Sequence, residues 1–302
     1  MSYRRSTFPL FVMVMAILAA LGVFNPAHAA PVAVPSAAAP RFTVEVTGQG
    51  PDVILIPGLA SSAAVWDDTV KQLKGRYRLH VIQVAGFAGA PAGANAEGPV
   101  VQPTVDALDG YIRSAGLKSP AVIGHSMGGL MGLMLARQHP EDVGRLMVVD
   151  SLPFYAMVFS PEATVETARP QAAAMRDRTI AAAPEAWASM ETAMMTRLVK
   201  SPEGLKSATA AAIASDRSVV ARALYDDLTT DLRGEIAAIK TPVTMLYPWD
   251  PATAPQAAFD QLYTGAYAPM TQAKVKRIDG SYHFIMLDQP AAFAFEVEAF
   301  LK

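Results

Sequence analysis

The sequence predicts an α/β fold: a doubly wound, mostly parallel sheet with a helical lid. Three observations carry that expectation. Short apolar runs at 53–56, 78–84, 121–123, 145–149, 243–247 and 274–278 alternate with helical patterns. Residues 153–221 hold only helical patterns, rich in Ala and Met, between two of those runs. Inserted there, they would cover the carboxyl edge of the sheet, where ligands bind in open α/β folds. Finally, residues 121–129, AVIGHSMGG, read as strand end, tight turn and helix start in immediate succession.

Taken in order, residues 1–29 place Arg4 and Arg5 ahead of an apolar run and close on Ala27-His28-Ala29. These are the three regions of a signal peptide, so cleavage after Ala29 and a periplasmic or secreted protein are expected. The run is short for a membrane span and Pro26 follows it ahead of the small-residue site, so no stable span is expected after removal. Residues 30–40, APVAVPSAAAP, form a Pro/Ala linker, and 41–302 the folded domain. Residues 42–46 alternate as a half-exposed antiparallel strand should, and 53–56 form a buried strand ended by Pro57-Gly58. A helix follows over 63–73, then the strand 78–84 and a Gly/Ala/Pro-rich loop to Pro103. Thr104 is read as the N-cap of a helix reaching Gly116. Beyond the helical block, a further helix is read over 224–239, and the closing helix over 290–301.

Composition narrows the chemistry. The chain has 302 residues, 52% hydrophobic and 17% charged, with a formal net charge of −2, enough apolar material for one large core. Without a Lys/Arg run, nucleic acid is not an expected partner. The absence of cysteine excludes disulfides, thiolate catalysis and cysteine metal sites.

Gly124-His125-Ser126-Met127-Gly128 fits G-x-S-x-G, with the two glycines letting strand and helix approach and the serine forced onto a strained turn. A serine hydroxyl is a poor nucleophile unless a base and an oxyanion site stand beside it. His80 lies in a strand, His139 near a helix end, and His125 is expected to pack away from Ser126. His283, in the loop after the last strand, reaches the same sheet edge and is the expected base. The imidazole needs an acceptor that fixes its tautomer. Asp250 follows a strand end and gives the chain order Ser, Asp, His, so it is favoured; Asp150 also ends a strand and is the alternative. Asp288 reads as a helix-start residue. Two backbone N–H groups, those of Leu59 and Met127, are the expected oxyanion donors, with Gly58 permitting close approach.

Pro57-Gly58-Leu59 with Trp66, Gly86-Phe87, the GHSMGG turn, Asp250 and His283 occur in an order that resembles the α/β-hydrolase superfamily, in particular its lid-bearing serine esterases. The resemblance covers about residues 42–302 and departs from many members at Pro57, where His precedes the glycine. It implies an eight-stranded sheet, no cofactor or metal, and a Ser-His-Asp acyl-enzyme mechanism acting on a small-molecule ester. Lactone, thioester or amide hydrolysis would use the same triad, and a catalytically silent binding protein of this fold is the alternative from another class. The lid methionines Met157, Met175, Met190, Met194 and Met195 suggest an adaptable apolar pocket, with Phe154, Tyr155, Phe159 and Trp187 as candidate lining. Small or apolar acyl groups are therefore expected. The sequence leaves the oligomeric state open.

Overall fold

The computed structural model describes residues 39–302. The expected leader at 1–29 and residues 30–38 of the expected linker lie outside the described residues.

Seven strands form one sheet: β1 (Phe42–Gly48), β2 (Asp52–Ile56), β3 (Arg78–Val84), β4 (Ala121–His125), β5 (Arg145–Val149), β6 (Val243–Trp249) and β7 (Lys274–Asp279). Their order is β1-β3-β2-β4-β5-β6-β7. The edge strand β1 is antiparallel to β3, and every other pair is parallel. The resemblance implies an eighth strand. The described chain reaches β1 after only three residues, so that strand has no counterpart among the described residues.

The strand sequences follow from where each strand lies. Val53, Ile54, Leu55 and Ile56 of β2 and Leu146, Met147, Val148 and Val149 of β5 are all fully buried. A central parallel strand is covered on both faces, so its apolar run is continuous rather than alternating. The edge strand β1 keeps an alternating, largely exposed pattern.

Ten α-helices complete the fold among the described residues. They are α1 (Asp67–Leu73), α2 (Val101–Ser114), α3 (Met127–Gln138), α4 (Val165–Ala181), α5 (Pro184–Leu198), α6 (Pro202–Ala214), α7 (Arg217–Thr229), α8 (Gln256–Tyr267), α9 (Ile285–Asp288) and α10 (Pro290–Leu301). Residues Met127 to Ala136 of α3 are buried all round, as a helix inside a large core must be. Trp66, in the 3₁₀ turn before α1, is fully buried and packs against Phe293 of α10, with ring centroids 6.1 Å apart and the planes tilted by 31°. Among the described residues no helix is long and apolar enough to cross a membrane.

Three element boundaries differ from the expectation. The segment 63–73 divides into the 3₁₀ turn Ala63–Trp66 and α1. The helix expected from Thr104 starts at Val101, because Asp226 of the distant α7 accepts from the Val100 and Val101 amides at 2.6 and 3.1 Å. Thr104 lies inside that helix with its hydroxyl donating to Val100 O at 2.6 Å. The helix expected over 224–239 does not form. Instead α7 runs through its start and ends at Thr229, and Ile236–Ala238 is a separate 3₁₀ turn.

Helices α4 to α7 form the block expected between β5 and β6, and it is tied to loops at the carboxyl edge of the sheet. The Ser215 hydroxyl accepts from Ala88 N at 2.8 Å, after β3, and the Asp216 amide donates to Gly86 O at 2.7 Å. Gly86 has φ +89°, and a Cβ there would stand 2.7 Å from Val219 of α7, so glycine is what lets the block seat. The Phe284 amide, after β7, donates to Leu198 O at 3.2 Å.

Candidate active site

The register brings the chemistry together before any side chain is considered. In adjacent parallel strands, Ile56 of β2 pairs with Gly124 of β4, and His125 of β4 with Val149 of β5. The Gly58 loop, Ser126 and Asp150 therefore leave the sheet side by side. Trp249 of β6 pairs with Asp279 of β7, so Asp250 and the His283 loop leave at the same edge.

Ser126 has φ 53° and ψ −125°, a strained conformation for a non-glycine residue. Its neighbours explain how the strain is held. A Cβ on Gly124 would stand 2.2 Å from Gly128 O, and one on Gly128 would stand 2.4 Å from Ile56 O. Strand, turn and helix thus touch through backbone, and the Ser126 amide donates to Val149 O at 2.8 Å. Ser126 is also the N-cap of α3 without a side-chain cap bond. The first amides of that helix, Met127 N among them, are left to face the turn.

The second expected donor, Leu59 N, sits in a turn closed by Ser61 N donating to Gly58 O at 3.3 Å. Neither Leu59 N nor Met127 N donates to a protein acceptor among the described residues. A Cβ on Gly58 would stand 3.0 Å from Ser126 Cβ, so glycine allows this loop to lie against the serine. Ala60, next along, has φ 54° and holds the turn tight. The Gly58 loop and the start of α3 thus both adjoin Ser126.

His283 Nδ1 stands 2.5 Å from Asp150 Oδ2. A carboxylate can only accept, so the proton lies on Nδ1 and Nε2 is left as the basic nitrogen. Asp150 Oδ1 accepts from the Tyr263 hydroxyl of α8, and Tyr267 of the same helix donates to Ser151 O at 2.9 Å. Burial, with the Asp150 charge behind it, holds the Tyr263 phenol far above its ordinary range, so it stays a donor. Asp150 has φ 47°, a left-handed conformation that aspartate tolerates better than most residues.

Asp250, favoured from the sequence, is not on the imidazole. Its Oδ2 accepts from Lys200 Nζ at 2.6 Å and its Oδ1 from Ala252 N at 2.9 Å. The Lys200 ammonium holds this carboxyl below the ordinary aspartate value. The physical reason for the correction is competition. Both aspartates end strands at the same edge, but a lysine from the segment joining α5 and α6 engages one of them.

His125 packs as expected, yet it also holds His283. Its ring is fully buried, 4.5 Å from that of His283, and Nε2 donates to His283 O at 3.1 Å. Burial, reinforced by the His283 charge, holds His125 well below the ordinary histidine range, so it is neutral. Asp288 does not start a helix: it is the last residue of α9, and Gln289 is the N-cap of α10. Asp288 Oδ2 accepts from Tyr282 N at 2.8 Å, and its Oδ1 from Lys200 N and Ser201 N, both at 2.9 Å. It fastens the His283 loop to the helical block. His80, by contrast, is structural, 2.7 Å from the Tyr111 hydroxyl and 3.0 Å from Asp52.

The candidate pocket residues divide. Phe159 and Met175 line a cavity of about 270 Å³ between residues 156–163 and α4, closed by Leu228. Phe154 is fully buried under the Arg233 guanidinium, and Trp187 is buried with its indole N–H on Ile213 O at 3.1 Å, so these two pack the block. Met195 is buried, whereas Met190 and Met194 are exposed.

Residues 53–297 match the model of the alpha/beta hydrolase family. Among curated proteins, the pimeloyl-[acyl-carrier protein] methyl ester esterase of Aeromonas hydrophila is 33% identical over 113 residues. That stretch is 37% of this chain and 42% of the relative. The enzyme of the same name from Nitrosomonas europaea is 33% identical over 115 residues, again 42% of its length. The match therefore spans less than half the length of these relatives. Among solved structures, a thermophilic esterase from Thermogutta terrifontis superposes with a TM-score of 0.72 at 19% identity, covering 86% of this chain and 92% of its own. The enol-lactonase from Burkholderia xenovorans LB400 superposes with a TM-score of 0.70 at 19% identity, covering 86% and 96%. At that identity the superpositions speak for the fold, and the family model speaks for descent: the chain belongs to the alpha/beta hydrolase family.

Proposed function

We propose that this protein is an exported serine hydrolase that cleaves carboxylic esters through an acyl-enzyme on Ser126, with His283 as base and Asp150 as the acid of the triad. One observation carries the reading: the His283–Asp150 contact stands beside a strained serine at the uncapped start of a buried helix. The names of the sequence relatives, methyl ester esterases, support an ester substrate, and the leader at 1–29 supports export.

In this mechanism His283 Nε2 takes the Ser126 proton as Oγ bonds to the ester carbonyl carbon. The carbonyl oxygen becomes an oxyanion held by the Leu59 and Met127 amides, while Asp150 stabilises the imidazolium. Collapse breaks the bond to the alcohol oxygen, which takes the proton from His283. Water then attacks the acyl-enzyme with His283 again as base, releasing the acid and restoring Ser126. Ser126 Oγ and His283 Nε2 have no hydrogen-bond partner among the described residues, and such contacts tighten when substrate binds. The helical block acts as the lid over this edge, and the substrate is a small molecule.

A fluorophosphonate probe tests the reading. The folded protein is expected to label once, at Ser126, and Ser126→Ala to lose both labelling and turnover of a p-nitrophenyl ester panel. Folded wild-type protein that does not label would sink the enzyme reading in favour of a silent binding protein.

A further inference from the structure

Three parts of the candidate site meet at one side chain that the acyl-enzyme mechanism does not use. His125 ends β4, one residue before the nucleophile, and its ring is fully buried. Its Nε2 donates to His283 O at 3.1 Å, so it grips the peptide of the base. The two imidazoles also lie against each other, with centroids 4.5 Å apart and planes inclined by 48°. Phe284 packs on both, its ring 4.6 Å from that of His125 and 5.3 Å, nearly perpendicular, from that of His283. His125 faces the Gly58 loop as well: a Cβ on Gly58 would stand 3.1 Å from His125 Nδ1 and 3.0 Å from Ser126 Cβ.

The chemistry of the ring says which of these contacts matters. A carbonyl oxygen only accepts, so the proton of this neutral ring lies on Nε2, and Nδ1 carries a lone pair. That Nδ1 is buried and has no hydrogen-bond partner among the described residues. A buried acceptor left unpaired is costly, and such groups in native structures call for an explanation. Packing does not supply one, because an apolar side chain would fill the space without an orphaned nitrogen. What the imidazole adds is the Nε2–H, and that donor goes to the residue that carries the base. We propose that His125 is a positioning residue, which fixes the His283 main chain so that the basic nitrogen stands within reach of Ser126 Oγ when the ester is bound. This deepens the acyl-enzyme reading and rests on it.

Two anchors then define the base. Asp150 holds the His283 ring at Nδ1, 2.5 Å away, and His125 holds its carbonyl. The loop is fastened ahead of the base at Gly280 and Tyr282, by Gln289 and Asp288, but neither of those bonds reaches the His283 peptide. With the His125 donor gone, the imidazole could pivot about its contact with Asp150. Reaction is sensitive to such shifts: a misplacement of about 1 Å costs up to about 100-fold in rate. Because His125 is fully buried, it cannot touch an ester arriving from solvent. Its loss should therefore act on the chemical step and spare substrate binding.

The test compares His125→Leu, which fills the space without a donor, with His125→Gln, whose amide can place an N–H near the position of Nε2. Both kcat and KM are measured for one p-nitrophenyl ester, with circular dichroism confirming the fold. In His125→Leu, kcat is expected to fall about 10- to 100-fold while KM stays within about twofold. The rate of fluorophosphonate labelling at Ser126 is expected to fall in step. In His125→Gln, kcat is expected to recover to within about threefold of wild type. A kcat that survives in His125→Leu, or that falls equally in both variants, overturns the proposal and leaves His125 a packing residue. Should either variant not fold, imidazole nitrogen NMR of the wild-type protein decides. A proton on His125 Nε2 that exchanges slowly with solvent supports the proposal, and a proton on Nδ1, or one that exchanges freely, overturns it. Wild-type protein that labels no faster than His125→Leu refutes only the positioning role, whereas wild-type protein that does not label at all refutes the acyl-enzyme reading beneath it.

Discussion

Replacing Asp150 by Asn, beside the same change at Asp250, separates the two strand-end aspartates. Both oxygens of Asp150 are engaged, Oδ2 by His283 Nδ1 at 2.5 Å and Oδ1 by the Tyr263 hydroxyl. Tyr263 is buried and offers a donor there, so an Asn at 150 must turn its carbonyl toward Tyr263 and its NH₂ toward His283. Nδ1 then becomes an acceptor, the imidazole proton moves to Nε2, and the base can no longer take the serine proton. Wrong-tautomer substitutions of this kind lower kcat by about 10⁴-fold, which is roughly 5 kcal/mol of barrier at 1.36 kcal/mol per decade. Asp250→Asn removes a bond to Lys200, whose side chain is 48% exposed and can rehydrate, while the Ala252 amide keeps an oxygen acceptor. A partly exposed ion pair contributes about 0–1 kcal/mol, so stability should fall by no more than that and kcat by less than about threefold. The assay is kcat for one p-nitrophenyl ester, with circular dichroism confirming that both variants fold. Equal losses, or a larger loss at Asp250, would refute the reasoning and return the acid role to Asp250.

Two further outcomes follow from the same contacts. Tyr263→Phe takes a hydrogen bond from the Asp150 carboxylate and frees it to turn away from His283 Nδ1, so kcat for a p-nitrophenyl ester should fall about tenfold. A variant that folds and keeps wild-type kcat would assign Tyr263 a packing role only. At the opposite edge, Arg78 and then His80, against the opposing effect of burial, hold Asp52 below its ordinary 3.8. A depressed carboxylate stabilises fully above its unfolded value and loses that contribution as pH falls through the folded one. Urea midpoints of Asp52→Asn, compared with wild type, should therefore converge as the pH drops below 4, and parallel curves would count against the contact.

The parts of the site that depend on local chain geometry were legible in the sequence. Gly124, Ser126 and Gly128 announce a strained strand-to-helix turn because a Cβ on either glycine would stand only 2.2 or 2.4 Å from a backbone oxygen. His283 follows from its place after the last strand. What the sequence hid were partners brought from afar. Asp150 and Asp250 occupy equivalent positions at strand ends, and their difference lies in Tyr263 and Lys200, each contributed by another element. Thr104 looked like a cap because capping chemistry is usually local; here Asp226 supplies the acceptor from more than a hundred residues away. The helix expected over 224–239 failed for a related reason: Asp231 and Arg233 bond to each other over two residues and turn the chain, and Leu232 N donates to Pro153 O.

The three bonds of Asp288 bear on how this enzyme could be re-engineered. One carboxylate grips the peptide groups of Lys200 and Ser201 and, through its other oxygen, that of Tyr282. Exchanging the helices above the sheet for those of another hydrolase, to change which molecules are accepted, would tug on the histidine unless the graft keeps the backbone at 200–201 in place. The seam of any such chimera belongs outside that knot, with Asp288 and the two residues it grips taken from the same parent.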